Sequence, residues 1–292
     1  MDLLCWEKIG SGDSQIDNNK AKFDPVIFSE MRVLTNLLSV EKYYVPSCNY
    51  FSRVSTDVQP FMRKVVAGWM LEVCEEQKCE EQVFPMAVNL FDRFLCKFDV
   101  NRNHLQLIAA VCLLMVTKVR QCYALSIELL CFYADNCFTP DQMRKWELIV
   151  STTVDWDITS VTGYDIVDHV LKRLRWSSEQ PLVRTHALTL LSLCCREPDF
   201  MRVKPSMLAS SCILAAARGL KVKAGTTESV LQLTGCHPNP VEEIISVIES
   251  LVTSQTMTLR VDTPPAPSTP SPKYNGTVEP AETPTDVQEV HF

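Results

Sequence analysis

Apolar residues recur along most of this chain at intervals of three or four residues, the spacing of an α-helix. The clearest stripe is formed by Met62, Val65, Val66, Trp69, Met70 and Val73. This spacing predicts an amphipathic helix, with Asp57 as a candidate N-cap and Pro60 in its first turn. Similar patterns, with Thr139 as a cap before Pro140, predict helices over 28–38, 82–95, 104–120, 126–134, 140–153, 163–174, 181–195, 205–218, 229–233 and 240–254.

Two of these helices are made almost entirely of small and apolar residues. They read HLQLIAAVCLLMVTKV from His104 and PSMLASSCILAAARGL from Pro205, and amphipathic segments surround each of them. The apolar run at 105–119 is shorter than the roughly twenty residues that a membrane span needs. Both are therefore predicted to be buried central helices, which makes the chain all-α with two similar bundles in tandem.

The two ends of the chain have a different composition. Residues 1–25 are polar and mixed, and the region after 255 is rich in Pro, Ser and Thr without an apolar period. Such segments bury too little apolar surface to offset the entropy lost on ordering. We expect a mobile arm at 1–25 and a disordered regulatory tail at 256–292.

Charge and cysteine content narrow the function further. The formal net charge of -7, from 28 basic and 35 acidic residues, argues against general binding of nucleic acid or anionic membranes. Thirteen cysteines, an odd number, include Cys112, Cys131, Cys194, Cys195 and Cys212 within apolar helical runs. We interpret these cysteines as buried, reduced thiols. Because the histidines are scattered and no CxxC pair occurs, no metal or other cofactor is expected.

Residues 62–95, MRKVVAGWMLEVCEEQKCEEQVFPMAVNLFDRFL, strongly resemble the cyclin box, and within the cyclins the D-type members. The resemblance continues through 104–118, LCFYADN (130–136) and 205–220. At the N-terminus, Leu3, Cys5 and Glu7 resemble the LxCxE peptide with which D-type cyclins engage retinoblastoma-family pocket proteins. In the tail, Thr283 resembles the threonine whose phosphorylation drives export and destruction.

The resemblance implies a tandem pair of five-helix cyclin folds, an N-terminal cyclin box at 26–156 and a C-terminal cyclin fold at 157–255. It implies a regulatory subunit, without catalytic residues, that activates a G1-class cyclin-dependent kinase toward retinoblastoma-family proteins at the G1/S transition. The expected partners are that kinase, the pocket proteins and inhibitors of the RxL-docking kind, in the nucleus and cytoplasm. No kinase or hydrolase motif such as GxGxxG, GxSxG or HExxH occurs.

By the same resemblance, Lys118 and Glu147 are the polar centre of the kinase-binding surface. A charged pair at the rim of two apolar helices can hydrogen-bond the backbone of a partner and fix its register. The alternative is a lysine that snorkels from a helix end beside a solvated glutamate. Leu114, Phe132 and Ile149 either add apolar contact with the kinase or pack in the core.

The stripe of Met62, Val65, Val66 and Trp69, with Glu72 one turn further, resembles the hydrophobic patch that docks RxL peptides. Leucine would enter the apolar cleft and Glu72 would meet the arginine. The alternative is that the stripe is simply core. The nearby run of Glu75, Glu76, Glu80 and Glu81 is interpreted as a solvated face.

The chain departs from the D-type pattern near the proposed kinase surface. Val119-Arg120-Gln121-Cys122 replaces the usual lysine and glutamate after Lys118, and Thr152-Thr153-Val154-Asp155 replaces a basic, leucine-containing step. These changes leave open a second hypothesis, a kinase-independent adaptor for pocket proteins or transcription factors. A third, a cyclin-fold transcription factor, would need a basic surface for DNA, which an acidic chain does not offer.

Overall fold

A computed structural model describes residues 24–54, 57–222 and 226–261, with side chains through Ser254. Over these ranges the regular structure is helical, and no strand occurs. The α-helices are α1 (Pro25–Ser29), α2 (Met31–Val40), α3 (Tyr50–Arg53), α4 (Pro60–Glu76), α5 (Val83–Leu95), α6 (Leu105–Arg120), α7 (Ile127–Tyr133), α8 (Pro140–Thr153), α9 (Gly163–Leu171), α10 (Leu182–Arg196), α11 (Pro205–Gly219), α12 (Thr226–Thr234) and α13 (Pro238–Val261).

The first core is built around α6, which packs against α4, α5, α7 and α8. Every residue of α6 from Leu107 to Thr117 is buried, including Ala109 and Ala110, whose small side chains let neighbouring helices approach closely. The prediction of a buried central helix is confirmed.

The second core is built around α11, which packs against α9, α10 and α12. Gly163 begins α9 in a tight contact, because a Cβ there would lie 2.8 Å from Cδ2 of the buried Leu191. Val241, Ile245 and Ile248 of α13 complete this core. Helices α4–α8 and α9–α13 are thus the predicted tandem pair of five-helix folds, and the all-α fold class is confirmed.

Residues 24–252 form one compact unit, and the segment from Thr253 belongs to a separate one. In the compact unit, the N-terminal helices pack on the second core. Leu34 of α2 has no exposed surface and lies in that core, while Oε2 of the buried Glu41 accepts a 2.7 Å hydrogen bond from the backbone nitrogen of Ser206 at the start of α11. The predicted boundaries at 26, 157 and 256 stay predictions, and the arm up to 23 and the tail after 261 lie outside the described residues.

Helix starts were predicted with mixed success. Thr139 caps α8 in a full capping box with Gln142, as predicted. Asp57 as the cap of α4 is wrong, because its Oδ2 accepts a 2.9 Å hydrogen bond from the backbone nitrogen of Arg102 instead. Helix α4 begins after Gln59 without a side-chain cap, and Pro60 lies in its first turn.

Several helices differ in extent from their predictions. Helix α9 ends at Leu171 rather than at 174, and α12 runs from Thr226 to Thr234 rather than over 229–233. The single helix predicted over 28–38 is two, α1 and α2, because Glu30 between them is extended, with ψ of 121°. Helix α13 runs from Pro238 to Val261 rather than over 240–254.

Four helices end in a residue with a left-handed backbone that is not glycine. The residues are Lys78, Asp135, Asp155 and Lys221, with φ between 48° and 56°. In each case the next residue donates its backbone N–H to a carbonyl five positions earlier, for example Cys79 to Cys74 at 2.9 Å and Val222 to Ala217 at 2.9 Å. This is the Schellman motif, which satisfies the last carbonyls of a helix.

The described cysteines are all free. Cys112, Cys131, Cys194 and Cys212 are buried as predicted, whereas Cys195 is partly exposed. Within the described ranges, no cluster of three or more His, Cys, Asp or Glu residues could hold a metal ion. No helix in the same ranges is long and apolar enough to cross a membrane.

Candidate functional site

Lys118 and Glu147 form an ion pair that joins the end of α6 to the middle of α8. Lys118 Nζ lies 2.5 Å from Glu147 Oε1, and the side chains are 47% and 26% exposed. A lysine in the last turn of α6 also interacts favourably with the negative end of the helix dipole. The two charges are thus held in place, yet they keep surface with which a partner can form hydrogen bonds.

Large apolar side chains are exposed on the segments that flank this pair. They are Val119, Tyr123, Phe132, Leu148 and Trp156, each 46% exposed or more. Ionic groups beside exposed apolar surface are typical of protein–protein contacts, in which apolar side chains supply burial and charges supply register.

The three apolar residues predicted beside the pair have different surroundings. Phe132 on α7 is 68% exposed and is available to a partner. Ile149 is partly buried against the first core. Leu114 is 1% exposed inside that core, so its burial supports the packing interpretation over direct contact.

Three of the residues that depart from the D-type pattern form polar contacts within the chain. Arg120 Nη2 lies 2.6 Å from Oε1 of Glu80, and Lys97 Nζ lies 2.8 Å from Oδ2 of Asp155. Thr153 donates its hydroxyl to the carbonyl oxygen of Ile149 at 2.7 Å. These three positions therefore contact other residues of the first bundle.

Helix α4 presents its predicted stripe to the surface and buries another face. Val65 is 67% exposed, whereas Met62, Val66 and Trp69 are partly buried. Trp69 donates its indole N–H to the carbonyl oxygen of Tyr133 at 3.2 Å.

The core side of α4 carries Ala67, Met70 and Val73 instead, and Glu72 beside the stripe is exposed. Of the two interpretations of the stripe, a surface patch fits Met62, Val65, Val66 and Trp69, and core fits Met70 and Val73.

The acidic run between α4 and α5 is solvated only in part. Glu75 and Glu76 are exposed as expected. Glu80 pairs with Arg120, and Oε2 of Glu81 lies 2.8 Å from Nη2 of Arg184 on α10. The interpretation of this run as a solvated face therefore fits Glu75, Glu76 and the exposed Glu81, and it is wrong for Glu80, which is partly buried against Arg120.

A buried polar cluster that the sequence analysis did not identify lies between the two bundles. Arg63 of α4 donates two hydrogen bonds to Asp92 of α5, Nε to Oδ1 at 3.1 Å and Nη2 to Oδ2 at 2.7 Å. Tyr50 donates its hydroxyl to Asp92 Oδ1 at 2.8 Å. Burial alone would lower the pKa of Arg63, but the charge of Asp92 and its hydrogen bonds raise the pKa above its usual value.

The same guanidinium reaches the second bundle. Arg63 Nη1 donates to the carbonyl oxygens of Cys195 and Arg196 at the end of α10, both at 2.8 Å. Arg184 adds another link, since its Nε lies 2.6 Å from Asp168 Oδ1 and its Nη2 reaches Glu81. The bundles are thus fixed to each other by charged hydrogen bonds.

The spacing of apolar residues in α4 and α5 contained a signal from which this buried pair could have been predicted. Arg63 precedes the buried Ala67 and Met70 by four and seven residues, so it occupies the core stripe of α4, and Asp92 interrupts the apolar run of α5. Two opposite charges at core positions indicate a buried pair. The predicted LxCxE residues and Thr283, by contrast, lie outside the described residues.

Comparisons with known proteins agree with this architecture. A family model described as "Cyclin, N-terminal domain" matches residues 32–159, and one described as "Cyclin, C-terminal domain" matches residues 161–267. The chain is 39% identical to a G1/S-specific cyclin-D2 of Xenopus laevis and 38% identical to a G1/S-specific cyclin-D3 of Homo sapiens, over 100% of each chain. A viral cyclin from herpesvirus saimiri has a similar fold, with a TM-score of 0.65 at 23% identity, over 76% of this chain and 97% of the viral one.

Proposed function

The chain belongs to the cyclin family and, within it, to the D-type cyclins, which are regulatory subunits of protein kinases rather than enzymes; on this premise we propose that it activates a G1-class cyclin-dependent serine/threonine kinase. The observation that carries the proposal is the half-exposed pair of Lys118 and Glu147 among exposed apolar side chains. On this proposal the chain acts on the kinase by binding and supplies no catalytic group.

Activation then follows from selective binding. A protein kinase is active when its strand lysine is paired with the glutamate of its αC helix and its activation loop is ordered. A helical surface that binds the inward position of αC more tightly than the outward one shifts the population toward the active state. Helices α6 and α8 pack against each other and are joined by the Lys118–Glu147 pair, and they supply the rigid surface that this selection needs.

The deciding experiment is co-expression with a G1-class kinase catalytic subunit, followed by size exclusion and a phosphorylation assay. We expect Lys118→Glu to weaken the complex by about 2–5 kcal/mol, or roughly 30-fold or more in affinity, because it places two carboxylates at the polar centre. Unfolding should change by no more than about 1 kcal/mol, because the pair is a surface pair.

Arg218→Glu is the matched control, because Arg218 forms a similarly exposed ion pair with Glu242, outside the proposed surface. It should bind the kinase like the unaltered chain. A folded Lys118→Glu variant that retains kinase and activity contradicts the proposed surface.

As the finer part of the proposal, the kinase is directed to retinoblastoma-family proteins through Leu3, Cys5 and Glu7. In an extended peptide, alternate side chains point the same way, so Cys5→Ala and Glu7→Lys should abolish capture of a pocket-protein fragment while Leu4→Ala preserves it. Thr283 as a phosphosite and a distribution between nucleus and cytoplasm complete this proposal, and Thr283→Ala should retain the protein in the nucleus.

The exposed edge of α4 is proposed to dock RxL-type substrates and inhibitors. Val65 offers apolar surface, and Glu72 is exposed two turns further along α4. Glu72→Lys should raise the KM for an RxL substrate without weakening kinase binding, because it repels the peptide arginine. Glu76→Lys, also exposed on α4, is the control, and equal effects of both variants would contradict docking at Glu72.

The adaptor alternative has one observation in its favour, namely that the rim residues Arg120 and Asp155 pair within the chain rather than point free. An adaptor would ignore the kinase in size exclusion, bind the pocket protein through Cys5 and Glu7, and be insensitive to Lys118→Glu.

A further inference from the structure

Two cysteines meet at the end of α4, outside the surfaces discussed above. Cys74 lies in the last turn and is buried, and Cys79 follows the helix and is half-buried. Five residues separate them in sequence, a spacing that in a continuing helix would point the two side chains in different directions.

The end of α4 brings the two side chains together. Lys78 has a left-handed backbone with φ of 48°, its N–H donates to the carbonyl oxygen of Glu75 at 3.1 Å, and the N–H of Cys79 donates to that of Cys74 at 2.9 Å. This is a Schellman motif, which brings the positions of Cys74 and Cys79 to the same side of the helix end. Both side chains line the same groove, together with Glu75 and Phe84.

The thiols have unequal acidity. The pKa of Cys79 is lowered because Cys74 donates a hydrogen bond to its sulfur and the side chain of Gln121 donates another, which together outweigh its burial. The pKa of Cys74 is raised by its bond to Cys79 and then by burial. Since the thiolate is the nucleophile, Cys79 is the attacking thiol and Cys74 the partner that resolves its oxidised form.

Cys79 is reachable from solvent. It lines a groove of about 300 Å³ together with Glu80, Tyr164 and Arg184, which is far larger than a small peroxide needs. An accessible thiol of lowered pKa next to a second thiol is the arrangement found in cysteines that sense oxidants.

The other neighbouring cysteines lack one of these features. Cys48 and Cys96 donate their thiols to each other's backbone carbonyls at 4.0 and 3.5 Å, and burial raises the pKa of Cys96 to about 11. Cys194 and Cys212 are buried. Among these cysteine pairs, Cys74 and Cys79 are the pair in which the thiols lie close together, one thiol is accessible, and that thiol has a lowered pKa.

We propose that Cys74 and Cys79 are a site of reversible oxidation at which hydrogen peroxide converts the two thiols into an intramolecular disulfide. The Cys79 thiolate attacks one peroxide oxygen, the O–O bond breaks, and the hydroxide that leaves takes up a proton to become water. The Cys74 sulfur then attacks the sulfur of the resulting sulfenic acid, the S–O bond breaks, and a second water forms with the proton of Cys74. A dithiol reductant returns both electrons and restores the thiols.

Trypsin makes the test direct, because Lys78 lies between the two cysteines. The full-length protein is treated with hydrogen peroxide, denatured, alkylated and digested without reductant. We expect peptides 65–78 and 79–93, each with one cysteine, to be joined in most molecules and released by dithiothreitol. Absence of the joined pair while the exposed Cys122 and Cys137 become oxidised overturns the proposal.

Three variants separate the roles. Cys74→Ser should leave a sulfenic acid on Cys79 that dimedone traps, whereas Cys79→Ser should leave Cys74 fully alkylated after peroxide. Cys122→Ser removes an exposed thiol and should leave the joined peptides unchanged. Trapping by dimedone at Cys74 in the Cys79→Ser protein, at the level seen for Cys79, would overturn the assignment of the attacking thiol.

Discussion

Arg63 is among the largest side chains with almost no exposed surface in the described chain, and its charge is matched at short range by Asp92. Five N–H donors are available on a guanidinium, and those of Arg63 serve Asp92 and two carbonyls of α10. Removing both charges together can be nearly neutral for stability, whereas removing one leaves the other buried and uncompensated.

We therefore expect Asp92→Asn to lower the free energy of unfolding by about 3–5 kcal/mol. The guanidinium would lose its counter-charge, and Tyr50 would lose its ionic acceptor. Urea unfolding followed by circular dichroism measures the change.

Asp99→Asn, at an exposed site in the connection that follows α5, should change stability by about 0.5 kcal/mol or less. A loss below about 1 kcal/mol for Asp92→Asn would mean that the pair contributes little.

The role of a charged residue could be predicted from the sequence where its position resembled a known one, and not where it depended on a distant partner. Lys118 stood at the end of an apolar helix and resembled a known position, so its place beside Glu147 was anticipated in kind. Arg63 stood inside the stretch that carried the resemblance, and its partner Asp92 lies 29 residues away. A pairing over that distance depends on how α4 packs on α5, which periodicity alone does not specify.

At the scale of elements, several helices end at a left-handed residue that is not glycine, and this lowers the stability of the fold. The chain has eight glycines, and Lys78, Asp135, Asp155 and Lys221 occupy positions that glycine adopts without steric cost. A residue with a Cβ costs roughly 1–2 kcal/mol in this conformation. Stability was thus not maximised where these helices stop.

Lys221→Gly should raise the free energy of unfolding by about 0.5–1 kcal/mol, because relief of the Cβ clash exceeds the extra entropy of glycine in the unfolded chain. In a protein of this size the midpoint of thermal unfolding should rise by about 1–3 °C. Lys221→Ala keeps the Cβ and removes only the exposed charge, so it should not stabilise. Equal behaviour of the two variants would show that strain at this position is negligible.

Helix positions were predictable where local chemistry determines them. The Thr139 cap and the periodicity of 140–153 gave α8 its observed bounds. The break at Glu30 was not predictable, because it belongs to the docking of α1 and α2 on the second bundle. Asp57 was assigned by its own neighbours, whereas its acceptor oxygen is used by Arg102, 45 residues later.

At the scale of the whole molecule, His169 of α9 is part of the contact between the N-terminal helices and the second bundle. The Phe28 ring stacks on the ring of His169, with 4.7 Å between centroids, and the Nδ1 of His169 is buried without a hydrogen-bond partner. Burial, followed by the charge of Arg173, lowers the pKa of His169, against a smaller opposing effect of Asp168. The folded state therefore takes up a proton at His169 less readily than the unfolded state.

This difference predicts a loss of stability in mild acid. The contribution of His169 is complete above its unfolded pKa of about 6.5 and is lost as pH falls toward the folded pKa, since the unfolded chain binds the proton first. Urea unfolding between pH 7.5 and 5.5 should show a smaller decline for His169→Phe, which retains stacking on Phe28.

The raised pKa of Asp165, caused by burial, acts in the opposite direction in both proteins and cancels in the comparison. Replacement of the exposed His186 by Phe is the control and should leave the decline unchanged. Identical declines for the unaltered chain and His169→Phe would exclude this residue as the cause.

The tandem architecture was predictable because each bundle has its own central helix, and both central helices are readable as apolar runs. The attachment of α2 to the second bundle was not, because Leu34 reads like any apolar residue of an amphipathic helix. Its partners are set by three-dimensional packing across the chain.

That attachment has a consequence for synthesis on the ribosome. Glu41 binds Ser206, 165 residues later, and at about 5–20 residues per second the ribosome needs about 8–33 seconds to supply that partner. Helices α4–α8 are complete once residue 153 has been made, so the first bundle can assemble before the partners of α2 and Glu41 in the second bundle have been translated. Although α2 is translated early, its apolar face therefore stays exposed to solvent until the second bundle has been made.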